Sequence, residues 1–150
     1  MAPGRVVVVK VSEAGETVIL SGPVTVSTGE LVSVAFTCMV EVPAVAIAIG
    51  RFDAAFYSIG TNDLIQYVTA CSRESANLSA LYDPLNPAVL ELIARVAAHG
   101  RASGREVSVC GEMASEPNLV PHLLDAGITS LSVAPSALGR VKHAVSDHAR

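Results

Sequence analysis

The stretch "FYSIGTNDLIQY" (Phe56–Tyr67) decides the fold. Its first half has the apolar run of a buried strand, and its second half opens a helix. Between them lies Gly60-Thr61-Asn62-Asp63, a small polar turn with one carboxylate. A strand passing straight into a helix is the unit from which α/β domains are assembled.

Working outward, the same rhythm repeats from about Val40 to the end of the chain. Strands are expected near 34–41, 55–60, 106–110 and 130–134. Helices are expected over 44–50, 62–71, 86–100 and 117–126, with another after Ser136. Asn86 and Pro87 have the chemistry of an N-cap and a first helical position, and Gly100 and Gly104 bracket that helix's end. Upstream the pattern differs. Residues 6–36 hold four β-branched runs, "VVVVKV", "TVILSG", "VTVSTG" and "LVSVAF", separated by "SEAGE", "SGP" and "STGE". Those separators are too short for helices, so an antiparallel meander is expected there. The chain therefore divides into a β-rich segment, 1–37, and an α/β segment, 38–150.

Composition agrees with a buried parallel sheet. The 150 residues are 51% hydrophobic and only 4% aromatic, an aliphatic excess suited to strands covered by helices. A chain of this length buries roughly 70% of its unfolded surface. The net charge of -4 leaves no electrostatic footprint for nucleic acid. No apolar run nears the ~20 residues that cross a bilayer, and the short patch after Arg5 lacks a cleavage site, so neither a membrane span nor a signal peptide is expected. Three cysteines without metal spacing point to a reducing cytoplasm with each thiol acting alone.

Polar residues gather at strand ends. Glu41 ends "VSVAFTCMVE", Asn62 and Asp63 follow "AFYSIGT", and Cys110 closes "EVSVC" before Gly111-Glu112. In a parallel α/β fold these C-terminal ends form one face, where sites are built. Arg73, in the loop after the second helix, can fold back over that face. Each residue also has a plainer reading: Asn62 or Asp63 as a helix cap, Glu41 as a solvated strand end, Cys110 as a small buried hydrophobe, Arg73 as a surface residue. His99, His122, His143 and His148 share no ligand spacing and read as helix-surface residues. Together, a Glu and an Asp on adjacent strand ends suit a hard divalent ion.

Four ordered motifs, "MVEVPA" (39–44), "FYSIGTNDLIQY" (56–67), "LYDPLNPAVLELI" (81–93) and "CGEMASE" (110–116), resemble the C-terminal part of enzyme I of the bacterial phosphoenolpyruvate (PEP):sugar phosphotransferase system over about residues 38–140. Pyruvate phosphate dikinase and PEP synthase share the plan. The resemblance implies a partial (β/α)8 (TIM) barrel, about its last four βα units, preceded by the β-rich extension. It implies that Glu41 and Asp63 bind magnesium, that Asn62 and Arg73 hold the PEP phosphate beside Asp63, and that Cys110 gives a proton to the enolate carbon. The implied reaction moves the phosphoryl group of PEP to a histidine on another domain and releases pyruvate.

The chain departs from the family in three ways. It has no Gly/Thr/Ser-His-Ala motif, so the phosphorylatable histidine or carrier is expected in trans. The first half of the barrel has no counterpart in residues 1–37. The helix after Glu41 is about two residues short. Four parallel strands leave open edges; the N-terminal meander is one candidate to cover them, and dimerisation or another association is expected to hide the rest. Two other functions compete: a non-catalytic truncated barrel serving as an interaction module, and a magnesium lyase on pyruvate-like substrates.

Overall fold

The computed structural model describes residues 8–11, 37–71 and 81–149. Its strands are β1 (Val8–Val11), β2 (Thr37–Val40), β3 (Phe56–Gly60), β4 (Glu106–Cys110) and β5 (Ser130–Val133). They form a single parallel sheet in the order β1-β5-β4-β3-β2. The helices are α1 (Pro43–Ile47), α2 (Thr61–Thr69), α3 (Pro87–Ser103), α4 (Glu112–Ser115), α5 (Val120–Asp125) and α6 (Leu138–His148).

From β2 to β5 the chain advances one sheet position at a time. The right-handed crossovers that such connections favour put connecting helices on one face, and the contacts of α3 with α1, α2 and α5 describe one such layer. Beneath it, Val40, Ile59, Val109 and Leu131 stand side by side in register, each with no exposed surface. Burying each contributes roughly 1.5–3 kcal/mol against leaving it in water. Above them α3 turns Val89, Ile93, Val96 and Ala97 inward, one stripe of a 3.6-residue repeat.

The other face carries a different row. Met39, Ser58, Ser108 and Ser130 are register partners across β2, β3, β4 and β5. The three serines are buried, and the Ser130 hydroxyl has no hydrogen-bond partner among the described residues.

Several expectations need correction. Val8–Val11 is a strand, but it pairs in parallel with β5, so it opens no antiparallel hairpin among the described residues; the remainder of the expected meander lies outside them. The helix expected at 117–126 is preceded by the separate turn α4. Pro117 forces Glu116 out of helical geometry (φ -97°, ψ 111°) and divides the two. Helix α3 runs past Gly100 to Ser103 and ends at Gly104. His99 is half-buried rather than on the helix surface, with its Nε2 3.1 Å from the Tyr57 hydroxyl. That hydroxyl also donates to the Phe52 carbonyl at 2.7 Å, tying the approach to β3 onto α3. No helix among the described residues is long and apolar enough to cross a membrane.

The cap expected at Asn86 is present, its side chain accepting from the Ala88 amide at 2.9 Å. Asn86→Ala is therefore expected to lower unfolding free energy by about 1 kcal/mol in urea melts. Tyr57→Phe, which removes the hydroxyl bridging Phe52 and His99, is expected to cost about 1–2 kcal/mol in the same measurement.

Candidate functional site

Parallel register brings three strand ends to one edge of the sheet. Val40 pairs with Ile59, and Gly60 pairs with Cys110. Glu41, one residue beyond β2, consequently lies alongside Gly60. The approach is close: a Cβ at position 60 would stand 2.8 Å from Glu41 Cγ and 3.0 Å from its Oε1. Glycine at 60 is what leaves room for this carboxylate.

The turn after β3 is locked to the turn after β4. Thr61, fully buried, donates its hydroxyl to the Cys110 carbonyl at 2.9 Å. Asn62 Oδ1 accepts from the Glu112 amide at 3.0 Å, and the Asn62 carbonyl accepts from the Tyr82 hydroxyl at 3.3 Å. Between those partners Gly111 takes φ +99°, and a Cβ there would be 2.5 Å from Thr61 Oγ1. Both the backbone angle and the close approach demand glycine. With Oδ1 engaged, Asn62 retains Nδ2 as a donor for a ligand.

These bonds also correct the capping expectation. The N-cap of α2 is Gly60, with no side-chain cap bond, because Thr61 and Asn62 are used across the strands. Asp63 stands exposed in the first turn, where its charge faces the positive end of the helix.

Cys110 is half-buried at the end of β4. Its sulfur lies 3.4 Å from the Ile59 carbonyl and 3.7 Å from the Ser58 hydroxyl. Burial pushes this thiol above its ordinary range; the Ser58 hydrogen bond pulls it down, and the Glu41 charge pushes it up again. Cys110, Glu41 and Ser58 therefore share one electrostatic environment. Arg73 lies outside the described residues.

Ser58, Thr61 and Gly111 join the site although strand-end position alone does not single them out. For Ser58 the sequence signal is a polar third residue in the otherwise apolar strand "FYSIG"; Thr61 and Gly111 carry no such signal. A cleft of about 350 Å³ opens beside Asn62, lined also by Tyr82, Glu112 and Arg140. Another of about 730 Å³ lies between α5 and α6 and contains none of the strand-end residues. Size favours the second cleft, but the convergence of acid, amide and thiol places the candidate site at the strand ends.

Among the described residues, no three His, Cys, Asp or Glu side chains gather to hold a metal on their own. Glu41 in its glycine cradle and the exposed Asp63 are the carboxylates that could hold magnesium, which takes few protein oxygens and fills its octahedron with substrate and water.

Residues 24–150 match the family described as PEP-utilising enzyme, PEP-binding domain. The phosphoenolpyruvate-protein phosphotransferase of Borreliella burgdorferi is 46% identical over 108 residues, covering 71% of this chain and 19% of that protein. The enzyme of the same name from Cupriavidus necator is 43% identical over 109 residues, covering 71% and 19%. That of Streptococcus equinus is 41% identical over 106 residues, covering 69% and 18%. The chain thus spans about a fifth of the length of these curated relatives. The family match and these relatives together show that the chain belongs to the PEP-utilising enzymes, in the region of their PEP-binding domain.

Proposed function

We propose that this chain is the PEP-binding portion of an enzyme-I-type phosphoenolpyruvate-protein phosphotransferase, its sheet forming the closing arc of a (β/α)8 barrel. The observation that carries the reading is the meeting of Glu41, Asn62 and Cys110 around Gly60 at three adjacent strand ends. The one-way strand order with helices on a single face supports the barrel arc.

In this reading Glu41 and Asp63 hold magnesium, which when bound offsets the charge on the carboxylate and phosphoryl oxygens of PEP. Asn62 offers its Nδ2 hydrogens to a phosphoryl oxygen, with its amide plane fixed by Glu112. Arg73 supplies a planar donor fork for the same group. Phosphorus passes close to in line from the enol oxygen of PEP to a histidine nitrogen on a separate domain or carrier. The P–O bond breaks, its electron pair leaves as pyruvate enolate, and a P–N bond forms. Cys110 then donates to the enolate methylene carbon: the S–H bond breaks, a C–H bond forms, and the thiolate regains a proton from water. A thiol kept above its ordinary range by burial holds its proton at neutral pH, as a general acid must.

The exposed Met39 on edge strand β2 suits association through that edge, in a homodimer or with the remainder of a barrel. A cytoplasmic location accords with the PEP chemistry. The edge that β2 presents among the described residues supports the second reading, an interaction module without catalysis.

Titration calorimetry separates the two. PEP is expected to bind in the millimolar range or tighter only with magnesium, and Asp63→Ala is expected to weaken it at least tenfold, about 1.4 kcal/mol. No heat from wild type at millimolar PEP, with or without magnesium, would overturn the PEP-binding reading in favour of the module. Gly60→Ala is expected to displace the Glu41 carboxylate and weaken magnesium-dependent PEP binding to a similar extent, while far-UV circular dichroism stays unchanged.

The thiol also has a pH signature. Because Cys110 is raised in the folded state, the fold favours its protonated form. That contribution is fully present below the unfolded thiol value of about 8.5 and is lost as pH rises through the higher folded value. Thermal melts are therefore expected to show Tm falling above about pH 8.5, and falling less steeply in Cys110→Ala.

A further inference from the structure

Ser58 is a hydroxyl buried in the middle of a strand whose other residues are apolar. Its backbone is fixed on both sides, paired with Met39 of β2 and Ser108 of β4. Ser58 and Cys110 point to the same face of the sheet, two positions apart across the β3–β4 ladder, which sets Oγ 3.7 Å from Sγ. The sulfur also lies 3.4 Å from the Ile59 carbonyl, which can only accept; the backbone amide of Cys110 itself is a weaker donor to it than Ser58.

We propose that Ser58 is a positioning residue for the Cys110 proton, its hydroxyl turning toward the sulfur as the thiol gives that proton up. The inference rests on the proposed role of Cys110 as donor to the enolate. While protonated, Cys110 directs its S–H toward the Ile59 carbonyl, and Ser58 need only pack beside it. Once the proton has gone to carbon, that carbonyl faces a thiolate and repels it. A hydroxyl can reverse its role from acceptor to donor by rotating one hydrogen, with no heavy atom moving. Ser58 can do so next to Sγ, and a hydrogen bond to a charged acceptor is stronger than one to a neutral acceptor.

A purely structural Ser58 would be a small residue filling space, and alanine would serve equally. The test therefore compares wild type, Ser58→Ala and Ser58→Thr, the last keeping the hydroxyl. Alkylation of Cys110 by iodoacetamide at pH 8, followed by peptide mass spectrometry, reads thiolate availability at this one cysteine. Ser58→Ala is expected to slow it about tenfold, the effect of one pKa unit, with Ser58→Thr close to wild type. Equal or faster alkylation in Ser58→Ala would overturn the proposal, since a smaller side chain only opens access.

A second measurement follows deuterium entry into the pyruvate methyl group by NMR in D2O with magnesium, the reverse of enolate protonation. Here Ser58→Ala is expected to lower the maximal rate and leave the pyruvate concentration at half-rate unchanged. A changed half-rate concentration with an unchanged maximal rate would also overturn it. If wild type shows no exchange, the PEP reading fails on its own account, and the alkylation comparison still decides whether Ser58 governs the thiol.

Discussion

The pairing of Gly60 with Cys110 is the constraint on which the site depends. Parallel ladders fix neighbouring strands to within one residue wherever a face is buried, since a one-residue slip would turn every inward side chain outward. Here Val40, Ile59, Val109 and Leu131 enforce that register from the helix-covered side. Apolar burial on one face therefore determines where polar groups meet at the strand ends. The helix-side core and the site are not separate achievements of the sequence.

Glycine at two positions converts this alignment into contact. At 60 it admits the Glu41 carboxylate, and at 111 it lets the chain turn at φ +99° against Thr61 and Asn62. The side-chain bonds of Thr61 and Asn62 then hold neighbouring turns together without a cap on α2. Capping would have stabilised one helix; the cross-strand bonds stabilise a relation between two loops. For a site that must present acid, amide and thiol together, the second is worth more. Preorganised groups give up less freedom when a ligand arrives.

Much of this was legible in the sequence, for identifiable reasons. β3 and α2 could be read because "FYSIG" and "TNDLIQY" change period abruptly, and α3 because Asn86 and Pro87 mark its start. Glu41, Asn62, Asp63 and Cys110 stood out as polar residues at strand ends. Pro117 marked the boundary before the helix expected at 117–126, but the short turn α4 ahead of it, Glu112–Ser115, carried no signal of its own. Other features were not legible because they are made by distant partners. Nothing in "VVKV" says that its neighbour is β5, more than a hundred residues on. Ser58 gains a partner only when register sets it beside Cys110, and His99 only when Tyr57 reaches it from β3.

Cys110 shows how the two halves of the argument join. A half-buried thiol in an apolar strand needs no explanation beyond packing, and burial alone would make it a poor acid. What changes its character is company: a carboxylate across Gly60 that opposes ionisation, and a rotatable hydroxyl that favours it. In the proposed reading, opposed influences of this kind suit a group that holds its proton until an acceptor carbon is in place and then carries a charge. The sheet supplies both influences from fixed backbone positions, so the acidity of the thiol follows from strand register as directly as its location does.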